Sequence, residues 1–135
     1  MSLAFIDSNI FMYAVGAPHP YKVPSENVIR KILSGQISGV TNVEVLQEIL
    51  YRYGAIRKPK LGYEVFDQII LTFRLIWPIE TEDLIMARKL QEKHDLKTRD
   101  ALHIATMVRY HVKTLYSYDK DFDRFKTIKR LQPFL

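Results

Sequence analysis

The stretch Leu3-Ala4-Phe5-Ile6-Asp7-Ser8-Asn9 places a continuous apolar run directly before three short polar residues. A short apolar run that ends at an acid is typical of a buried strand. The three polar residues are all suitable helix N-caps, and residues 10–14, which follow them, predict a helix. The chain therefore begins with a predicted buried strand that passes directly into a helix.

The same succession of strand and helix is predicted along the rest of the chain. Further strands are predicted at 37–40, 77–79, 114–117 and 127–131, of which 77–79 and 127–131 are expected at sheet edges. Helices are predicted at 25–33, 43–53, 61–75, 81–94 and 99–110. Strands that alternate with helices indicate an α/β fold with a mostly parallel sheet of about four to five strands, covered on both faces.

Single residues mark the predicted helix boundaries. Pro24 suits the first position of the second helix, because its missing N–H is not needed there. Thr41 or Asn42 is expected to cap the third helix, and Gly54 is expected to end it. Thr98 is expected to cap the last helix.

Length and composition limit what the chain can be. Its 135 residues suit one domain over 1–135. The absence of cysteine excludes disulfides, thiolate zinc sites and iron–sulfur clusters. No apolar run approaches the roughly 20 residues of a membrane span, and no basic segment opens the chain as in a signal peptide. We therefore expect no membrane association and a cytoplasmic location.

The chain is modestly basic, with a net charge of +5. An excess of positive charge favours polyanionic partners such as nucleic acid. Arg52, Arg57, Lys58 and Lys60 form a local basic stretch interleaved with tyrosines, and these four residues are candidates for RNA binding. A solvated loop is the alternative interpretation of the same stretch.

Acidic residues fall where predicted strands end. Asp7 ends the first strand, and Asp119 follows the strand at 114–117. Glu48 stands on the helix that begins directly after the second strand, and Asp100 stands in the first turn of a later helix. Sites in open parallel sheets form at the carboxyl ends of the strands. These acids are therefore expected to converge at one edge of the sheet.

Converging carboxylates repel each other. Two like charges about 4 Å apart raise the energy by about 4 kcal/mol at an effective dielectric constant of about 20. A hard divalent cation such as Mg²⁺ removes this repulsion, prefers oxygen ligands and can activate a water for attack on a phosphodiester. Each acid taken alone also has a structural explanation, as a helix cap, a first-turn acid, a turn residue or one half of a helical ion pair.

Four stretches of the sequence resemble, in order, the motifs of PIN-domain nucleases. In residues 5–10 a strand ends in Asp followed by a small hydroxylic residue and Asn, and in residues 41–50 a helix begins with an acid near its second turn. Residues 98–105 contain an Asp-Ala pair that opens a helix. Residues 115–122 contain a hydroxylic residue two positions before an Asp, with Phe shortly after. Together these motifs are spread over nearly the whole length of the chain.

The resemblance implies a three-layer α/β/α fold and hydrolysis of RNA phosphodiester bonds at a site for Mg²⁺ or Mn²⁺. It implies four catalytic, metal-binding acids: Asp7, Glu48, Asp100 and Asp119. It also implies a supporting shell of hydrogen-bonding residues: Ser8, Asn9 and Ser117. Small proteins of this kind are often VapC-type toxins, so RNA, an antitoxin protein and a second copy of the chain in a homodimer are the expected partners.

Three site assignments keep an alternative. Glu44 competes with Glu48 for the second acidic position, and Glu48 is preferred for its distance from the helix start. Asp121 either shares the role of Asp119 or caps the following turn. His103 is expected on the same helix face as the third acid, where it lies near the metal or serves as a buried structural histidine.

Two further groups have less specific interpretations. Phe11, Met12 and Tyr13 are expected in the core, with a dimer or partner surface as the alternative. His19, like the remaining histidines, is expected on the surface or in a loop, and no histidine pair has the spacing of a zinc motif.

Rival functions fit the sequence less well. A haloacid-dehalogenase-type phosphotransfer enzyme needs a second acid two residues after Asp7, where Asn9 stands. A receiver domain needs an adjacent acidic pair after the first strand, and Ser8 and Asn9 are not acids. A non-catalytic RNA-binding or interaction module on the same fold remains the alternative from another class. It would keep the basic surface but has no need of four acids at one sheet edge.

Overall fold

Residues 2–134, which the computed structural model describes, form a sheet of five parallel strands. The strands are β1 (Leu3–Ile6), β2 (Ser38–Asn42), β3 (Ile76–Trp77), β4 (Thr114–Tyr116) and β5 (Lys129–Leu131). Their order across the sheet is β3-β2-β1-β4-β5, and every pairing is parallel. The predicted parallel sheet is confirmed, and the two strands predicted at its edges are there.

Six α-helices connect the strands of this described part of the chain. They are α1 (Ser8–Val15), α2 (Lys22–Leu33), α3 (Val43–Ala55), α4 (Pro59–Thr72), α5 (Thr81–Lys93) and α6 (Thr98–Arg109). The chain runs from β1 through β2 to β3 and then returns to the far side of β1 for β4 and β5. Right-handed crossovers in opposite directions place the helices on opposite faces of the sheet. The reversal beside β1 is the switch point at which ligand sites form.

Strand β1 is buried from both faces of the sheet. Phe5 and Ile6 are adjacent, so their side chains point to opposite faces, and neither has any exposed surface. Ile49 on α3 and Ile104 on α6 are also fully buried in the same core. Burial of each such side chain stabilises the fold by about 2 kcal/mol. This packing holds the end of β1, where Asp7 follows.

The structure corrects several predicted helix boundaries. Pro24 is the third residue of α2, where it is tolerated because first-turn N–H groups have no partner within the helix. Helix α3 continues one residue past Gly54, because packing against α4 outweighs the roughly 1 kcal/mol penalty of a helical glycine. Thr98 is the first residue of α6, and Lys97, with an extended backbone, occupies the cap position.

The cap of α3 is Asn42, one of the two residues predicted for that position. Its Oδ1 accepts a hydrogen bond from the N–H of Val45 at 3.0 Å. Helix α4 begins two residues before the predicted range 61–75, because Pro59 suits a first helical position. None of the helices in residues 2–134 combines the length and the apolar character that a membrane crossing requires.

Candidate active site

The carboxyl ends of β1 and β4 lie side by side at the switch point of the sheet. The N–H of Asp7, directly after β1, donates to the carbonyl of Tyr116, the last residue of β4, at 3.1 Å. The residue after Tyr116 is Ser117, which is fully buried. Pairing of neighbouring parallel strands thus joins two segments from opposite ends of the chain.

The Asp7 carboxylate is held by three hydrogen bonds. Oδ1 accepts from the N–H of Ser8 at 2.8 Å, which makes Asp7 the cap of α1 as well as a member of the site. Oδ2 accepts from the Ser117 hydroxyl at 2.7 Å and from the Asn9 amide at 3.3 Å. Burial raises the pKa of Asp7. The Asp7 carboxylate therefore caps α1 and at the same time belongs to the candidate site.

The Ser117 hydroxyl connects Asp7 to the loop that carries Asp119. It accepts hydrogen bonds from the N–H of Asp119 at 3.0 Å and from the Asn9 amide at 3.2 Å. The Asn9 amide oxygen in turn accepts from the N–H of Tyr118 at 3.3 Å. The residues predicted as a supporting shell thus lie together, and Ser8 joins them through its backbone N–H.

Glu48 enters from α3 and is paired with two arginines. Its Oε2 lies 3.6 Å from Nη1 of Arg52 and 3.7 Å from Nη1 of Arg99, and the residue is 6% exposed. Burial raises the pKa of Glu48, but the neighbouring His103 ring and the positive charge of Arg99 outweigh burial and bring the pKa below its ordinary value. Glu48 is therefore an ionised carboxylate with its charge already partly balanced.

His103 is fully buried between Asp7 and Glu48. Its Nε2 lies 3.8 Å from Oδ1 of Asp7 and 3.9 Å from Oε1 of Glu48. On the other side of the ring, the Asn42 amide lies 3.3 Å from Nδ1 and also donates to the Thr106 hydroxyl at 2.9 Å. Because the amide is a donor, Nδ1 acts as the acceptor, and the proton of the neutral ring is on Nε2, facing the carboxylates.

Among the acids of the site, Asp100 is the one whose negative charge is least balanced by its neighbours. It is 7% exposed, and its Oδ2 has no hydrogen-bond partner among residues 2–134. Asp119 and Asp121 each offer an oxygen within 4.8 Å of Asp100 and of each other. Burial, followed by the negative charges of Asp7 and Asp119, raises the pKa of Asp100 to about 6.

The donor atoms of the site fit a hard divalent cation. Residues 2–134 contain two groups whose ligand atoms lie within 4.8 Å of one another: Asp100, Asp119 and Asp121, and Asp7, Glu48 and His103. Five of these six side chains are carboxylates, the ligands that Mg²⁺ and Mn²⁺ prefer. A buried carboxylate oxygen without a partner, as in Asp100, is an atom that a bound cation would satisfy.

A cleft of about 790 Å³ opens over these acids. The predicted acids Asp7, Glu48, Asp100 and Asp119 all line it, whereas Glu44 does not. Glu44 lies nearby on α3, and burial raises its pKa. The geometry thus brings the preferred set together and leaves the competing glutamate outside the cleft.

The cleft also has positive charges, only one of which belongs to the predicted basic stretch. Arg52 lines the cleft, as do Lys97 and Arg99, which the sequence analysis missed. Arg57, Lys58 and Lys60 lie where α3 passes into α4 and are exposed away from the cleft. The sequence did offer a signal for Lys97 and Arg99. Both stand close to Asp100 in the chain, at the start of the same helix, so they are expected near the same site.

Aromatic residues form a further part of the cleft lining. Tyr13, His19 and Tyr118 line it, and so does Tyr51 from the side of α3. Tyr51 belongs to the basic stretch that was predicted to bind RNA, whereas Tyr13, His19 and Tyr118 were not predicted at the site. Tyr118 could have been suspected, because it stands between Ser117 and Asp119.

We expect the metal-free protein to lose stability as pH rises through the pKa of Asp100. The folded-state pKa of about 6 lies above the ordinary value of 3.8, so the folded state holds the Asp100 proton more tightly. This contribution is complete below about pH 4 and is lost above about pH 6. Thermal unfolding in EDTA between about pH 4 and pH 7 measures it.

Asp100→Asn supplies the comparison for this measurement. The amide carries no charge at any pH, so the curve for the variant should fall less steeply toward high pH, and added Mg²⁺ should stabilise it less than the parent protein. Parallel pH curves for the two proteins would show that Asp100 does not carry the repulsion.

Comparisons with known proteins agree with this geometry. The sequence profile of the PIN domain family matches residues 4–128. The chain is 43% identical over 130 residues to ribonuclease VapC13 of Mycobacterium tuberculosis, covering 96% of this chain and 99% of that protein.

Solved structures are similar in fold at lower sequence identity. The chain aligns with Mycobacterium tuberculosis VapC20, a sarcin–ricin loop cleaving toxin, at a TM-score of 0.75 and 16% identity, covering 89% of this chain and 92% of that one. It also aligns with a toxin–antitoxin complex from Klebsiella pneumoniae at a TM-score of 0.69 and 16% identity, covering 97% and 98% of the two chains. At such identities the likeness shows the fold.

Proposed function

The chain belongs to the PIN-domain family and, within it, to the VapC-type proteins, and from this premise we propose that it is a ribonuclease. It hydrolyses RNA phosphodiester bonds with Mg²⁺ or Mn²⁺ and is the toxin of a toxin–antitoxin pair. Its similarity to VapC13, a named ribonuclease, over nearly the whole of both chains supports this proposal. Residues 1–135 act as one nuclease domain, and the protein acts in the cytoplasm.

One observation carries the proposal: Asp100, which has a buried and unpartnered Oδ2, offers a carboxylate oxygen within 4.8 Å of those of Asp119 and Asp121. Asp100 lines the same cleft as Asp7. A protein that only binds RNA has no use for carboxylates on the surface that must meet phosphates, because like charges repel. A cation bound between the carboxylates would change the charge of this surface from negative to positive. A bound metal would make the acids of the cleft compatible with an RNA substrate.

Asp7, Asp100 and Asp119 would hold the cation, and Glu48 completes the acidic set. When bound, the cation lowers the pKa of a water ligand and offsets the negative charge that builds on the phosphodiester. In the hydrolysis, the oxygen of water bonds to phosphorus, the bond from phosphorus to one ribose oxygen breaks, and that oxygen takes up a proton.

The remaining residues bind and orient. Arg52, Lys97 and Arg99 line the cleft and supply charges for the phosphates next to the scissile one. We assign to Glu48, which lies between two arginines and His103, the role of orienting a water in the cleft. Ser117 fixes the direction of the Asp7 carboxylate by donating to its Oδ2, as supporting hydrogen bonds do at metal sites.

Incubation of the purified protein with a mixed pool of structured and single-stranded RNAs tests this function. Cleavage is expected with Mg²⁺ or Mn²⁺ and is expected to be absent with EDTA. Asp100→Asn should lower the cleavage rate by a hundredfold or more, since loss of charge at a metal ligand costs about 3 kcal/mol or more of transition-state stabilisation.

Two other outcomes are informative. Cleavage that persists at the same rate in EDTA would contradict the metal site. RNA binding without cleavage under any condition, unchanged by Asp100→Asn, would support the non-catalytic RNA-binding module instead.

The partners follow from the same proposal. The fold shared with the Klebsiella toxin–antitoxin complex supports an antitoxin partner. An apolar groove of about 390 Å³ between α1, α2 and α4 is the surface on which we place it, and Phe11, predicted for the core or a partner surface, is buried at its base. A homodimer is proposed as the state of the free toxin.

A further inference from the structure

Four aromatic rings pack together beside the acidic cluster. The rings of Tyr21 and Tyr118 are stacked, with centroids 4.0 Å apart and planes within 10°. Tyr13 meets both of them edge to face at 5.2 Å, and His19 lies against Tyr13 at 4.7 Å. Such pairs are mutually stabilising, so the cluster is a preformed surface.

Polar contacts hold these rings in place. The Tyr118 hydroxyl lies 2.7 Å from the Ser25 hydroxyl and donates to the carbonyl of Tyr21 at 3.2 Å. The Nδ1 atom of His19 accepts from the N–H of Tyr21 at 3.0 Å, which fixes the ring on its loop. The Lys22 ammonium donates to the carbonyl of Ala14, in the last turn of α1, and to that of Gly16, just after this helix.

Three of the four rings face the cleft. Tyr13, His19 and Tyr118, here called the aromatic wall, line it together with the acids, whereas Tyr21 packs behind. His19 is exposed, and Tyr13 and Tyr118 are half-buried. The aromatic wall is therefore open on the cleft side, where a ligand can reach its rings.

The aromatic wall is directly connected to the acids. Tyr118 stands between Ser117, which donates to Asp7, and Asp119. The Tyr118 N–H also donates to the amide oxygen of Asn9. A group that rests on the ring of Tyr118 therefore lies next to the phosphate that the acids would act on. The positive charges of Arg52, Lys97 and Arg99 line the same cleft.

We propose that the aromatic wall of Tyr13, His19 and Tyr118 binds an unpaired RNA base next to the scissile phosphate. This inference rests on the proposed ribonuclease function and names its substrate class: RNA in which the nucleotide beside the cut is unstacked. Aromatic rings and bases attract each other through their faces, with little dependence on base identity. A base within a duplex is stacked and paired and cannot reach the wall.

Binding measured without metal tests the wall separately from cleavage. A short fluorescein-labelled single-stranded RNA is titrated with the full-length protein in EDTA, and anisotropy reports the Kd. His19→Ala and Tyr118→Leu should each weaken binding about tenfold, as expected when one base loses one stacking partner. Tyr118→Phe, which keeps the ring, should bind within about twofold of the parent protein.

Tyr63→Leu is the matched control. Tyr63 is an exposed tyrosine on α4 that does not line the cleft, so its removal should leave the Kd unchanged. A second RNA series carries an abasic nucleotide at successive positions. One position should weaken binding to the parent protein, and the same position should have little effect on Tyr118→Leu. The same RNA annealed to its complement should bind more weakly.

Equal Kd values for the parent protein, His19→Ala and Tyr118→Leu would contradict the proposal that the aromatic wall binds a base. Because His19 is exposed, its variant keeps the test valid even if Tyr118→Leu unfolds. Cleavage with Mg²⁺ is scored separately. If the aromatic-wall variants bind more weakly but no protein cleaves RNA, only the proposed nuclease function is contradicted. If the parent protein cleaves RNA but all Kd values are equal, only the proposed role of the aromatic wall is contradicted.

Discussion

Asp7→Asn should lower the rate of RNA cleavage by at least about a hundredfold while leaving RNA binding and the fold intact. The amide has the shape of the carboxylate and can keep the hydrogen bond from the Ser8 N–H. It removes one negative charge from the cation site, and its nitrogen cannot accept from both Ser117 and Asn9 as Oδ2 does. The loss should therefore fall on the chemical step.

The measurement is single-turnover cleavage with Mg²⁺ and with Mn²⁺, together with the Kd for RNA in EDTA and a thermal unfolding curve. Asp67→Asn is the matched control, since Asp67 is an exposed acid on α4 outside the cleft and its variant should cleave normally. If Asp7→Asn cleaves within about threefold of the parent protein, Asp7 is a helix cap and not a metal ligand.

Asn42→Ala should lower the free energy of unfolding by about 3 kcal/mol. Asn42 has no exposed surface, and its side chain serves two elements at once. Its oxygen caps α3 through the N–H of Val45, and its nitrogen donates to Nδ1 of His103 and to Thr106 on α6. The alanine variant loses the cap and leaves a buried ring nitrogen without a donor, and each loss costs about 1 kcal/mol or more.

Urea unfolding measures this loss as a shift of the midpoint at constant slope. Asn42→Ser separates the two contributions, because the serine hydroxyl can cap the helix but does not reach across to α6. We expect its loss to be intermediate. If both variants unfold within about 0.5 kcal/mol of the parent protein, the link between α3 and α6 through His103 contributes nothing.

The order of elements could be predicted from sequence because it depends on local pattern. The run Leu3–Ile6 is apolar and short, and it is the central strand. Helix boundaries were less well predicted. Gly54 should end a helix by its own preference, yet α3 continues past it, because packing against α4 decides that boundary.

The acids of the candidate site were predictable in part. Strand ends in a parallel sheet share one edge, so Asp7 and Asp119 could be brought together by reasoning about topology. Glu48 was preferred to Glu44 for its distance from the helix start, and α3 is oriented so that Glu48 lines the cleft. His103 was predicted as either buried or close to the site, and its position between Asp7 and Glu48 satisfies both descriptions.

The proposed RNA-binding surface was the part of the site that was hardest to predict from sequence. A basic stretch in sequence is not a basic surface in space, and only Arg52 of that stretch reaches the cleft. The aromatic wall joins residues of α1, the loop after it and the segment after β4. No local pattern connects these segments, so no single window of sequence could show that their rings meet.

The sequence by itself determined the alternation of strands and helices, the acids at the strand ends and the family, because apolar period, capping residues and motif order are properties of neighbouring residues. Only the tertiary structure decided which cations line the cleft and which rings stand beside the acids. Those outcomes depend on helix rotation and strand pairing, which are set by the packing of residues far apart in the chain.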